Sequence, residues 1–234
     1  MCELGHVHEA TVLEAIETRF KMEKPYTAAG DVILAVNPYK WLNIYTKKDR
    51  RKKAHVYAVS SAALRGARRG EDQSVLVSGE SGAGKTETVK LVLAHLADVG
   101  NASEGVVHRV LVAGPLLESF GNAATKRNGN SSRFAKFLRV AFKNNILSGS
   151  WTETALLEKT RVVSYEGERS FHIFYEMGGL PSSTAAEKAR GKSDSQAFKE
   201  MVASLSGLTP VDAVLRTVKA VLGVLKGNGS LLGC

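Results

Sequence analysis

Gly79-Glu80-Ser81-Gly82-Ala83-Gly84-Lys85-Thr86 is the stretch on which the reading of this 234-residue chain turns. Its glycines let the backbone curl with amides pointing inward, and those amides, with the N-terminus of a following helix, make a nest for anionic phosphates. Lys85 adds positive charge near the outer phosphates, and the Thr86 hydroxyl can ligate magnesium. The flanks fit that chemistry. Ser74-Val75-Leu76-Val77 is short, apolar and β-favouring, while Val89, Val92, Leu93 and Leu96 share one helical face from Lys85 onward. Strand, glycine loop, helix is the order a phosphate-binding loop requires.

On the N-terminal side, residues 8–20 read as an amphipathic helix, 31–36 as a buried strand halted by Asn37-Pro38, and 54–68 as a helix. On the C-terminal side, 106–119 reads as a helix and 137–142 as a strand followed by a turn at 143–145. The mixture is α/β. Residues 182–195 are Ser, Ala, Gly and charge, and read as an exposed connector. Beyond them comes a well-punctuated helix. Thr209 can cap it, Pro210 suits its first position, Asp212 its positive end and Gly227 its stop, with a stripe from Val211 to Leu225 facing a core.

Composition excludes several classes. With 44% hydrophobic and 24% charged residues the chain has an ordinary globular make-up. Its two cysteines, Cys2 and Cys234, build neither a disulfide framework nor a cysteine zinc site, which fits a reducing compartment. No apolar run is long enough to span a bilayer, and the first ten residues lack the basic-then-apolar pattern of a secretory signal, so the expected setting is the cytoplasm. The net charge of +9 points to an acidic partner without naming it. The densest basic run, 47–53, has no interleaved aromatic residues and reads as a solvated loop, so no nucleic acid is expected. The six histidines form no metal-binding spacing, and His172 reads as a core or interface residue.

A second constellation is Asn128-Gly129-Asn130-Ser131-Ser132-Arg133-Phe134. Small amides and hydroxyls beside an arginine can supply a metal ligand, a water-positioning group and a gate responding to a terminal phosphate; alone, the same residues make a polar turn into a strand.

With both stretches in view, the chain resembles the myosin motor domain. Residues 79–86 are similar to the family's P-loop, and Asn-x-Asn-Ser-Ser-Arg-Phe is similar to its switch I, here 128–136, with Phe134 separating it from kinesins. Asn37-Pro38-Tyr39-Lys40 and Ile44-Tyr45 look like the loop at the adenine rim, and residues 117–123 look like the lead-in to switch I. Residues 156–163 and 168–175 look like a central-sheet strand and the helix after it.

The resemblance implies one motor-domain portion over 1–234: a P-loop NTPase core with a central mixed β-sheet flanked by helices, incomplete. It implies ATP and Mg2+ as ligands, held by Gly79, Glu80, Ser81, Gly82, Ala83, Gly84, Lys85 and Thr86 together with Asn128, Ser131 and Ser132, with Asn37, Pro38 and Tyr45 at the adenine. Thr86 and Ser132 would ligate the metal, and Lys85, Ser131 and Arg133 would carry the catalysis. Arg133 would pair with a glutamate of switch II, whose Asp-x-x-Gly-Phe-Glu motif the chain does not contain. The implied function is the ATP-binding portion of a cytoskeletal actin-based motor. The main actin-binding elements are expected beyond Cys234, and no light chain is expected on this portion. The alternative is a truncated or degenerate protein that binds nucleotide without turnover. Departures are Ala135 in place of a switch I glycine, Asn43 in place of a rim proline, and a shortened segment at 46–55.

Overall fold

The computed structural model describes residues 7–100, 104–144, 146–163, 166–206 and 210–227. In chain order the elements are helix α1 (Glu9–Lys21), strands β1 (Tyr26–Ala29) and β2 (Val32–Ala35), and helices α2 (Val56–Arg68), α3 (Lys85–Val99) and α4 (Glu104–Gly121). Then come strands β3 (Asn122–Ala123), β4 (Ser131–Ser132), β5 (Ala135–Lys143) and β6 (Ile146–Ala155). Helices α5 (His172–Glu176), α6 (Thr184–Arg190), α7 (Asp194–Ser206) and α8 (Val211–Gly227) complete the order. The class is α/β, as expected. In place of one central mixed sheet, the strands described form three separate pairs, β1–β2, β3–β4 and β5–β6. The chain divides into two compact units, Met1–Val107 with Ala141–Ser148, and His108–Val140 with Gly149–Cys234.

In the first unit, β1 and β2 pair antiparallel in the register Tyr26↔Ala35 to Ala29↔Val32, closed by Gly30 at φ +63. The strand expected over 31–36 is therefore present, but half covered instead of buried: Val32 and Ala35 are exposed, because one partner strand leaves the other side open. Helices α2 and α3 pack through Val56, Tyr57 and Leu64 on one and Val92 and Leu96 on the other, with Tyr26 against them. Two polar groups are buried in this seam. Ser60 Oγ and His95 Nδ1 are 2.7 Å apart, and the His95 ring stacks on Tyr57 at 4.3 Å.

Ser74-Val75-Leu76-Val77 is not a strand here, and Leu76 is 91% exposed. An apolar strand of this kind needs neighbours to take its ladder hydrogen bonds and cover its faces, and none of the described strands pairs with it.

The second unit is organised around α5, in which every residue from His172 to Glu176 is buried. Against it pack Met201 and Leu205 of α7 and Val218, Leu222 and Leu225 of α8, the last three at the i, i+4, i+7 spacing of a helical face. Helix α8 begins at Val211, one residue after the Pro210 expected to open it, and ends at Gly227; Thr209 lies outside the described residues. Helix α7 was not anticipated, although Ala197, Met201, Ser204 and Leu205 repeat with helical period.

Residues 156–163, expected as a sheet strand, contain a single 3-10 turn at Lys159–Val162. The acceptors are met from further along the chain: Ser170 Oγ donates to the Arg161 and Val162 carbonyls at 2.6 and 2.8 Å, so these two need no strand partner. The stretch expected as an exposed connector, 182–195, is helical over Thr184–Arg190, and its Arg190 and Asp194 are buried. Charge placed this deep must be paired. Arg190 Nη2 lies 2.7 Å from Glu176 Oε1, Arg169 Nη2 lies 2.8 Å from Asp194 Oδ2, and Ser182 Oγ donates to the same Asp194 oxygen at 2.5 Å.

Met201 is fully buried at the centre of this core. Met201→Ala should cost about 3 kcal/mol of stability in chemical denaturation of the whole chain. A loss below about 1 kcal/mol would show that the α5–α7–α8 core is not packed as described.

Candidate functional site

The first unit holds the glycine loop and the rim residues together. Helix α3 begins at Lys85, directly after Gly84 in the left-handed region at φ +91, ψ 17. Gly82 at φ +85 makes the same kind of turn two residues earlier, so a side chain at either position would strain the loop. Between them Ala83 N donates to Glu80 O at 3.1 Å, closing the curl. Lys85 Nζ folds back over it, donating to Gly79 O at 2.6 Å and Glu80 O at 2.8 Å. Its ammonium thus stands at the mouth of the loop. Thr86 sits exposed in the first turn of α3, where backbone N–H groups have no carbonyl partner within the helix.

The rim is tied to the loop by hydrogen bonds. Asn37 Nδ2 donates to Gly82 O at 2.8 Å, and Asn37 Oδ1 accepts from Tyr39 N at 2.9 Å, so the Asn-Pro turn and the glycine loop form one bonded unit. Tyr39, at φ +49, adds its hydroxyl to the same Gly82 carbonyl at 3.3 Å. A cleft lined by Tyr26, Asn37, Pro38, Tyr45, Gly84 and Leu91 opens beside this junction. The Tyr26 and Tyr45 hydroxyls lie 3.0 Å apart at its wall; burial pushes the Tyr26 phenol up, and the bond to Tyr45 adds to the shift.

The donors at the loop are of the kind a Mg-nucleotide takes. They are a backbone turned through two left-handed glycines, a helix start, one ammonium and one exposed hydroxyl, the groups that phosphates and a hard divalent cation take. Pro38 and Tyr45 stand with Asn37 on the adjoining cleft. Sequence reasoning missed Tyr26 and the part played by Tyr39; the latter stands inside the quoted Asn-Pro-Tyr-Lys motif.

The second unit holds Asn128, Ser131, Ser132 and Arg133. Ser131 and Ser132 form β4 and pair antiparallel with Ala123 and Asn122 of β3. That pairing buries Ser131 and leaves Ser132 exposed. The preceding loop bonds to itself: Thr125 N donates to Asn128 O at 2.9 Å, and Asn130 N to Asn128 Oδ1 at 3.0 Å. Arg133 donates to Ser131 Oγ at 3.1 Å through Nη1 and to Glu158 Oε2 through Nε. The arginine expected to await a switch II glutamate therefore already has a carboxylate partner. Burial opposes charge on Glu158, but the Arg133 and Arg161 guanidiniums outweigh it and hold the carboxyl below its usual range. Ala135 begins β5 with an ordinary backbone, so its Cβ is accommodated in this arrangement. Glu158 was quoted in the sequence as part of a strand; its role depends on a contact 25 residues away.

Comparison with known proteins bears on both groups. The family model described as Myosin head (motor domain) matches residues 1–212. Myosin-3 of Arabidopsis thaliana is 43% identical over 198 residues, covering 80% of this chain and 17% of its own length. Unconventional myosin heavy chain 6 of Caenorhabditis elegans is 37% identical over 247 aligned positions, covering 100% of this chain and 12% of its own. Myosin-VIIa of Drosophila melanogaster is 41% identical over 202 residues, covering 81% of this chain and 9% of its own. The chain thus spans less than a fifth of the length of each of these relatives.

The buried histidines set a pH dependence. Burial, with the nearby Arg190, Arg169 and Lys192 charges, lowers His172 from 6.5 to about 2, and burial also lowers His55 and His95. Folded His172 stays neutral while its unfolded counterpart takes up a proton below 6.5, so its contribution is complete above 6.5 and falls as pH drops toward about 2. The limit is about 1.4 kcal/mol per pH unit for each such histidine. Unfolding free energy measured at about pH 7.5 and about pH 5.5 should decrease at the lower value; an unchanged value contradicts burial of neutral rings.

Proposed function

The chain belongs to the myosin head (motor domain) family, and from that premise we propose that it is the ATP-binding portion of an actin-based motor, built on a P-loop NTPase core. One observation carries the nucleotide reading: the left-handed Gly84 opens helix α3 under an ammonium, with Asn37 bonding the base rim to the loop at Gly82. In this reading the residues of 79–86 cradle the phosphates through their amides, and Lys85 neutralises charge as it develops on the outer ones. Asn37, Pro38 and Tyr45 face the adenine.

The second unit supplies the groups that respond to the terminal phosphate. Asn128 and Ser131 contact it, and Arg133 steers the loop they stand on. Thr86 and Ser132 are the hydroxyls that would hold magnesium, whose charge offsets that of the phosphates and fixes their orientation. Movement on actin filaments belongs to the complete head in this proposal, as do the cytoskeletal setting and any light-chain contact.

A second reading is that the chain binds nucleotide without turning it over. The engagement of Arg133 by Glu158 favours it, because an arginine already paired is not available to close a pocket round an attacking water.

Calorimetric titration of the 234-residue chain with MgATP tests the site. Lys85→Ala should weaken binding by at least about a hundredfold, the scale of losing a charge-assisted phosphate contact; affinity equal to wild type would sink the nucleotide reading. Steady-state ATPase with and without actin filaments separates the two readings. Actin-stimulated turnover excludes the non-hydrolysing one, and binding without turnover excludes the other for this chain.

A further inference from the structure

The loop at 128–131 is held by a side chain outside the Asn-x-Asn-Ser-Ser-Arg-Phe stretch, His172 of α5. Asn130 Nδ2 donates to Glu118 Oε2 at 3.2 Å, and since a carboxylate only accepts, this fixes which end of the Asn130 amide is which. Its Oδ1 is therefore an acceptor, and it takes Asn122 Nδ2 at 2.8 Å and His172 Nε2 at 3.2 Å. His172 must then carry its proton on Nε2. The other ring nitrogen, Nδ1, is buried without a hydrogen-bond partner among the described residues, and the residue is 0% exposed. A second proton there would stand among Arg169, Arg190 and Lys192. The imidazole is thus locked as a neutral donor with one available target.

The same loop is confined from a second side. A Cβ on Gly129 would meet the Ala189 carbonyl carbon and oxygen at 2.4 Å and the Arg190 nitrogen at 2.7 Å, so the backbone of Gly129 rests directly on the end of α6. Arg190 in turn is anchored through Glu176 of α5, the helix that begins with His172. Asn130 therefore joins the gate loop to the most deeply buried part of this unit.

We propose that His172 is a positioning residue for the switch loop: by donating from Nε2 to Asn130 Oδ1 it holds Asn128 and Ser131 in the arrangement that meets a terminal phosphate. Asn130 transmits this directly, since its backbone N–H is bonded to Asn128 Oδ1 and its carbonyl accepts from Asn128 Nδ2 at 3.3 Å. The inference rests on the nucleotide reading above. It adds that discrimination between a nucleoside diphosphate and a triphosphate is set by a buried, neutral histidine that touches neither.

The test uses the full chain with MgADP and the slowly hydrolysed analogue MgATPγS as probes. His172→Phe keeps the ring and removes the donor, and His172→Gln restores an amide N–H in about the place of Nε2. Expected for His172→Phe is ADP affinity within about twofold of wild type and ATPγS affinity reduced about tenfold, the scale of one lost buried hydrogen bond; His172→Gln should return ATPγS binding to within about threefold of wild type. Equal weakening of both nucleotides, or no weakening of ATPγS, overturns the positioning role, as does a Gln variant that folds but restores nothing. Nitrogen NMR of wild type gives an independent readout, and a proton on Nδ1 near neutral pH also overturns it. If wild type binds neither probe, the nucleotide reading fails and this inference fails with it; if wild type binds both and only the variant pattern disagrees, the inference fails alone.

Discussion

Charge buried away from water must find charge of the opposite sign, and in the second unit that requirement governs where the chain goes. Arg169, Glu176, Arg190 and Asp194 come from four separate segments and are all buried. Pairing Arg190 with Glu176 draws the end of α6 onto α5, and pairing Arg169 with Asp194 brings the start of α7 to the same place. Once those ends are fixed, Gly129 has a surface to rest on and Asn130 stands over His172. Apolar packing of α5 with α7 and α8 fills in around this arrangement. Buried pairs of this kind contribute little net stability against an apolar core, but removing one partner strands the other, so they specify position more than they stabilise.

The first unit rests on a different constraint, the backbone conformation of two glycines. Gly82 and Gly84 turn the chain into the left-handed region and deliver it into α3, whose first N–H groups have no carbonyl partner within the helix. Everything else at that site is attached to the curl: Asn37 and Tyr39 to the Gly82 carbonyl, and Lys85 to the carbonyls of Gly79 and Glu80. The adjoining cleft follows, because Asn37-Pro38 is held at the loop on one side and Tyr45 is braced by Tyr26 on the other.

How legible each part was in the sequence depended on how local its cause was. Helices α1, α2, α3, α4 and α8 came within a few residues of their expected bounds, since apolar period and end signals lie within each segment. Ser74–Val77 looked like a strand and is not one, because a strand is completed by partners from elsewhere in the chain. Residues 182–195 looked solvated for a related reason. Arg190 and Asp194 read as surface charge until Glu176 and Arg169 are known to face them. Residues 156–163 are not a strand, and two of their carbonyls, those of Arg161 and Val162, are taken by Ser170 further along the chain.

The sequence by itself determined the glycine loop, its lysine and hydroxyl, the Asn-Pro rim and the order of motifs that places the chain in the myosin head family. These are properties of residue type and spacing: a left-handed turn favours glycine, and a helix start carries its free N–H groups wherever it occurs. Only the tertiary structure decided that Arg133 is held by Glu158, that His172 is a neutral donor to Asn130, and that the end of α6 backs Gly129. Those outcomes turn on which distant group arrives at hydrogen-bonding distance, and burial then makes the choice costly to reverse.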